Sequence, residues 1–167
     1  QTGREQIETT TSIQMMTLTP KSIDMIDGVR IPRDTVYSFG IEEARRVEER
    51  LEEWGYTDLH AKSSRMATYN DSSVAIYIQG SLENIPMFTD AGIIGSYFSE
   101  RDVEEKSNKV VISKFLANKW TDTPDDLIGE TLTFEENSYE VIGILDTEAD
   151  EALALIPITT YQMNLKN

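Results

Sequence analysis

Cysteine is absent from this chain of 167 residues. That excludes disulfides, thiolate zinc sites and cysteine nucleophiles. It does not fix the compartment, since many extracytoplasmic proteins manage without disulfides. Histidine occurs once, at His60. No apolar run approaches the roughly 18 residues needed to span a bilayer. Positive charge is also scarce: 15 Lys and Arg stand against 30 Asp and Glu, a formal net charge of −15. A surface that acidic repels phosphate backbones, so no nucleic acid is expected as a partner. Docking on anionic lipid headgroups is disfavoured for the same reason. No signal peptide is visible, and the first residue is Gln1 rather than Met. The expectation is a mature secreted chain or a soluble segment of a longer protein.

What is present is globular. Hydrophobic residues make up 39% of the chain, and the length suits one compact domain or two small subdomains. Residues 6–18, "QIETTTSIQMMTL", read as a strand rich in Thr and Ile. Thr19 and Pro20 predict the start of a short helix carrying Ile23, Met25 and Ile26, stopped at Gly28. Residues 29–40 read as irregular. The clearest helix is 41–54, where Ile41, Ala44, Val47, Leu51 and Trp54 recur every three or four residues and share one face. Glu42 and Glu43 sit in its first turn, and Gly55 follows as a stop.

Further along, 57–69 and 74–79 read as strands and 81–102 as loop. "KVVIS" (109–113) reads as a short buried strand. Ser113 is placed to cap a helix over "KFLANKW", with Phe115, Leu116 and Trp120 facing a core. "ETLTFEENSYEVIGIL" (130–145) reads as a hairpin packed on that helix. Its turn is expected at Glu136 and Asn137, with Gly143 marking a kink or a close backbone approach. "LALIPITTY" ends the chain as an edge strand or a strand exit, because Pro157 cannot donate to a ladder. Helices and strands interleave without regular βαβ spacing, which predicts an α+β fold.

The search for chemistry assigns no catalytic, cofactor-binding or metal residue and no cofactor. His60 would have to serve any Ser-His-Asp arrangement, but no GxSxG elbow accompanies it, so a surface or half-buried strand residue is the simpler account. Asp146, Glu148 and Asp150 of "DTEADE" offer oxygens for a hard cation. They lack the glycine and terminal glutamate of an EF-hand loop, so a solvated acidic loop explains them better. "VEERLEE" is similarly the wet side of a helix. Paired carboxylates for glycoside hydrolysis depend on a separation that sequence does not give. No P-loop or GxGxxG occurs. Asn70-Asp71-Ser72 fits the glycosylation formula, a pattern common by chance. Trp54 and Trp120 read as core anchors, and Met15 and Met16 as strand packing.

Five segments carry a resemblance. "VAIYIQG", "GSYFSERD", "NKVVISKFLANKW", "DLIGETLTFEENSYEVIGIL" and "ALIPITTYQM" follow one another over residues 72–163. In that order they resemble the MacB-type periplasmic core domain of ABC transporter permeases of the MacB, LolC and FtsX-like kind. Residues 41–71 fit as the preceding helix and strand. The chain departs from the family pattern at several places. Asp126-Leu127-Ile128 replaces an Asp-Pro before the glycine, and Glu136 and Asn137 replace a hairpin glycine. Ser96 stands where arginine is usual, and the loop from Leu145 to Leu155 is short.

The resemblance implies a mixed sheet with packed helices, a porter-like βαββ arrangement plus a small inserted mainly-β subdomain. It implies a single extracytoplasmic domain over 1–167, with 1–80 plus 140–167 and 81–139 as its subdomains. It also implies a place on the outer side of the cell membrane between two transmembrane helices. The partners it implies are a cytoplasmic ATPase, a second permease subunit and an extracellular accessory or adaptor protein. The expected role is non-enzymatic: coupling ATP hydrolysis to export or to control of an outer partner. The alternatives are a secreted peptide- or glycan-binding module using loops 81–108 and, third, a carboxylate-dependent hydrolase. Apolar segments of roughly 20 residues on both flanks would separate the first from the others.

Overall fold

The computed structural model describes residues 18, 23–32, 40–51, 55–87 and 90–165. Contacts divide the chain into two units, Gln1–Phe39 and Gly40–Asn167. In the first unit, the described part is a hairpin of β1 (Ile23–Ile26) and β2 (Val29–Pro32). This replaces the helix expected over Ile23–Ile26 and the irregular stretch expected at its start. The reason is local: Asp27 and Gly28 both take positive φ, 50° and 80°. An Asp-Gly pair between apolar residues closes a two-residue hairpin turn of type I′. The strand expected at 6–18, with Met15 and Met16, and the Thr19-Pro20 helix start lie outside the described residues, apart from the exposed Leu18.

The second unit opens with helix α1 (Ile41–Leu51). The Glu43 carboxylate accepts the Gly40 N–H at 3.0 Å, which ties down one of the amides left unpaired at a helix start. Ile41 and Ala44 pack as expected, but Val47 and Leu51 are exposed. Trp54 is outside the described residues.

Seven strands follow: β3 (Ala61–Tyr69), β4 (Ser72–Ser81), β5 (Gly92–Gly95), β6 (Lys109–Ser113), β7 (Thr131–Phe134), β8 (Asn137–Asp146) and β9 (Leu153–Pro157). Their order is β5-β8-β6-β9-β4-β3-β7, and β7 also pairs with β8. Six strands therefore form a ring closed at Thr68↔Thr133 between β3 and β7. The sheet is mixed: β4–β9 and β6–β8 run parallel, the other pairs antiparallel. With α1, α2 (Glu100–Glu104), α3 (Lys114–Ala117) and α4 (Ile158–Asn164), this is the α+β class with a mixed sheet that the sequence predicts.

Strand alternation sorts the side chains into two apolar layers. On one face Ile76, Ile78, Ile112, Leu132, Tyr139 and Ile156 share a cluster with Leu116 and Ala117 of α3. Hairpin β7–β8 and α3 thus share one core, as predicted, and Phe134 and Tyr139 stack at 3.9 Å within it. On the other face Val111, Leu145 and Leu155 pack with Ala44, Leu82, Phe98, Val103 and Ile158. The alternation slips within β8. Val110 pairs with Val141 but Val111 with Gly143, so Ile142 is an extra residue, a β-bulge.

Three further expectations are revised. The β7–β8 turn is Glu135-Glu136, at φ 49° and 62°, not Glu136-Asn137. Phe134 pairs with Asn137, and the Asn137 side-chain amide steadies the turn by donating to the Glu135 carbonyl at 2.7 Å. Residues 81–102, expected as loop, contain a 3₁₀ turn at Ile85–Met87, strand β5 and the start of α2. For "LALIPITTY" the strand exit holds and the edge strand does not: Pro157 ends β9, which is interior, and α4 begins after it. A fixed φ and a missing N–H suit a helix start as well as a strand end.

Candidate functional site

The residues singled out for chemistry lie apart. His60 is exposed, its Nδ1 3.6 Å from the Asp58 carboxylate. Asp146 pairs with Lys114 at 2.8 Å and Glu151 with Lys62 at 2.5 Å, while Glu148 and Asp150 do not converge with them. Among the described residues no group of three or more acids and histidines is arranged to hold a metal. Asn70 and Asp71 form the exposed tip of the β3–β4 hairpin, both at positive φ. Within "VEERLEE", Glu48 accepts from Arg45 at 2.9 Å, and Glu49 is exposed. Trp120 packs on Tyr69 with ring centroids 5.9 Å apart, as a core anchor should. Its indole Nε1 is buried without a hydrogen-bond partner.

What the structure does bring together is the set of segments that carry the resemblance. Gly95 of "GSYFSERD" and Gly143 of "EVIGIL" pair directly across β5 and β8. A Cβ on Gly143 would lie 2.1 Å from the Ser96 carbonyl oxygen. A Cβ on Gly95, which sits at φ +83°, would lie 2.6 Å from the Ile142 carbonyl oxygen. The Ser96 N–H donates to that same carbonyl at 2.9 Å. Two backbones therefore touch where the bulge redirects β8, and neither position has room for a side chain. This is the close approach predicted at Gly143.

Beyond the crossing, Phe98 is buried and Ser99 caps α2. The Ser99 hydroxyl accepts the Asp102 N–H at 3.3 Å, and the Asp102 carboxylate accepts the Ser99 N–H at 2.9 Å. This reciprocal capping box starts a helix of only five residues. Lys109, at the start of β6, donates to the same carboxylate at 2.7 Å. Burial would raise the Asp102 pKa, but the hydrogen bonds from Lys109 and Ser99 outweigh it and hold the carboxyl down at about 2.

Helix α4 is tied to α2, to the loop after it and to β8. Thr159 Oγ1 donates to the Val103 carbonyl at 2.5 Å, and the buried Thr160 Oγ1 to the Ser107 carbonyl at 2.8 Å. Asn164 Nδ2 donates to the Tyr139 hydroxyl at 2.9 Å. Gly80 lets Tyr161 sit on β4: a Cβ there would lie 2.6 Å from the Tyr161 Cβ. Motif reading missed Thr159, Thr160 and Asn164, because hydroxyl and amide groups reaching distant carbonyls leave no spacing signal.

A second polar layer holds α1. Arg45 makes a paired contact with the Glu83 carboxylate at 2.6 and 3.0 Å. That contact first, against the cost of burial, holds its guanidinium pKa above the ordinary arginine value. Asn84 Nδ2 bridges Glu48 and the Thr57 carbonyl. Asp58 accepts the Leu82 N–H at 2.9 Å, and burial raises its pKa. The Tyr97 hydroxyl is buried here without a hydrogen-bond partner; burial, then the charges of Asp58 and Glu83, push its pKa up. These groups act as caps, clamps and ion pairs.

A family model described as the MacB-like periplasmic core domain matches residues 1–167. A search of curated proteins returns no match. Among solved structures, the periplasmic region of MacB from Actinobacillus actinomycetemcomitans superposes with a TM-score of 0.66 at 17% identity, over 78% of this chain and 60% of that one. The extracellular domain of the noncanonic ABC-type transporter YknZ from Gram-positive bacteria superposes at 0.58 and 20% identity, over 65% and 57%. The chain thus spans about three-fifths of the length of either structure, and at these identities the likeness is one of fold.

Proposed function

This chain belongs to the MacB-like periplasmic core domain family, the extracytoplasmic domain of ABC transporter permeases, and we propose that it works as a mechanical coupler there. In this reading a cytoplasmic ATPase drives the membrane part of a paired permease. Residues 1–167, as a single domain, transmit that motion to an exported substrate or an outer accessory protein. In this reading the domain's role is non-enzymatic.

The observation that carries the reading is the attachment of α4. The helix leading to the C-terminal end of the chain is bolted to the body by three side-chain donors and a glycine-shaped seat. A segment fastened so firmly passes force to the sheet rather than absorbing it. The reading is tested on the longer protein reconstituted with its ATPase. Thr160→Val with Asn164→Ala should leave basal ATP hydrolysis unchanged and weaken the link between hydrolysis and transport. Normal coupling in that variant would sink the lever; a longer protein lacking apolar spans on both flanks would sink the permease assignment itself.

A further inference from the structure

Strand β3 is paired along its whole length on one side and at a single point on the other. All nine of its residues have a partner on β4. On the side away from β4, its register with β7 consists of Thr68↔Thr133. Strand β7 then ends at Phe134 and turns away at Glu135-Glu136. Among the described residues no strand covers residues 61–66 on that side, an open edge about 20 Å long.

Two hydrogen bonds fix which backbone groups face the opening. The Tyr77 N–H donates to the Ala152 carbonyl at 2.8 Å, toward β9. Tyr77 therefore exchanges no ladder bonds with its register partner Ser64, and Ser64 turns its own N–H and C=O away from β4. The Ser64 carbonyl accordingly accepts from a side chain, Arg65 Nη1, at 2.8 Å. By alternation Lys62 and Met66 turn their backbone groups the same way. Donors and acceptors in a row at two-residue spacing are a template for one more strand. The side chains of Lys62, Ser64 and Met66 stand on the exposed outer face, with Ser64 opposite Tyr77. Met66 and Tyr77 are 57% and 47% exposed. The short Ser64 side chain leaves a notch between Lys62 and Met66 that opens onto the Tyr77 ring. Charge around it is already balanced, Lys62 by Glu151 and Arg65 by Glu135. The other edge strand, β5, has four residues, and its Ile93 and Ile94 pack into the apolar clusters.

We infer that the open edge of β3 takes up an extended peptide as an added antiparallel strand, with a large apolar side chain of the peptide seated over Ser64 against Met66 and Tyr77. Extended backbone is the occupant because it repeats its donors and acceptors at the same two-residue spacing. A second copy does not fit. With two β3 strands antiparallel about Ser64, His60 of the incoming copy would come level with Thr68, where Thr133 already sits. A folded subunit needs roughly 800 Å² per partner, which an edge of this length does not supply. The occupant is therefore a free peptide, held with a dissociation constant on the order of 0.1–1 mM by a few ladder bonds and one apolar contact. The site stands whether or not the longer protein is a permease.

The test titrates the chain, labelled with nitrogen-15, with the peptide acetyl-KTVTFTVTK-amide and follows its amide resonances. The largest shifts should fall on Lys62, Ser64 and Met66. The same peptide N-methylated at its two valines and its phenylalanine keeps every side chain and loses the donors facing β3, so it should bind at least about tenfold more weakly. Replacing the peptide's phenylalanine by alanine should weaken binding about fivefold to the wild-type chain and less than about twofold to Tyr77→Ala. Ser64→Pro removes an edge donor where proline is tolerated and should abolish binding, with circular dichroism checking the fold. If that variant does not fold, the N-methylated peptide still decides the matter on the wild-type chain. Shifts centred on Ile93 of β5, equal binding of the N-methylated peptide, or no shift up to about 5 mM peptide overturn the inference. So does a dimer of the chain by light scattering that Ser64→Pro dissociates, because a second copy would then occupy the edge.

Discussion

Replacing Gly143 by alanine tests the view that the β5–β8 crossing has no room for a side chain. The new Cβ would lie 2.1 Å from the Ser96 carbonyl oxygen and 3.2 Å from that of Ile94. Both are backbone atoms, so no flexible side chain can swing away. One backbone must move, at an overpacking cost of about 1–3 kcal/mol. That movement pulls apart the Ser96 N–H and the Ile142 carbonyl, now 2.9 Å apart, which costs about 1 kcal/mol more. The expected loss is about 3 kcal/mol. With a urea slope of about 2 kcal/mol/M for a domain of this size, the unfolding midpoint should fall by about 1.5 M. Tryptophan fluorescence reads the transition through Trp120, which packs on Tyr69. Gly129→Ala is the control: Gly129 sits at φ +91° with nothing within 4 Å of an added Cβ, so it carries only the backbone strain of about 1–2 kcal/mol. If Gly143→Ala shifts the midpoint no further than Gly129→Ala, the crossing has slack and the reasoning is wrong.

Asp102→Asn should destabilise the chain by about 2 kcal/mol at pH 7, because the carboxyl is held at about 2 against its usual 3.8. A depressed pKa stabilises the fold above pH 4 and ceases to do so as pH falls from about 4 to 2. The difference between wild type and variant in urea titrations should therefore shrink over that window, and a pH-independent difference would refute the assignment. His60→Ala should change stability by less than about 0.5 kcal/mol, since the ring is exposed and its nearest acid is 3.6 Å away. A large loss of any assayed activity in that variant would restore a chemical role to His60.

Legibility varied with the range of the interaction concerned. Helix α1 was readable from its 3.6-residue period, and β6, β7 and the start of β8 from apolar runs and alternation. Ser113 was readable as a cap, and its hydroxyl does accept the Leu116 N–H at 3.2 Å. Gly28 was read only as a helix stop, whereas with Asp27 it closes a hairpin turn. The Glu135-Glu136 turn was harder to place, since glutamate is uncommon at positive φ.

The sequence by itself determined the charge, the absence of cysteine, the α+β class and the ordered segments that mark the family. These follow from composition and from interactions between near neighbours along the chain. Only the tertiary structure decided that β7 returns to β8 to close the ring, that Gly95 lies against Gly143, and that α4 is pinned by Thr159, Thr160 and Asn164. It also decided that α1 turns Arg45 inward and leaves Val47 outside. Each of those joins residues tens of positions apart, where no local period or propensity reaches, and the outcome is set by which surfaces fit once the strands have paired.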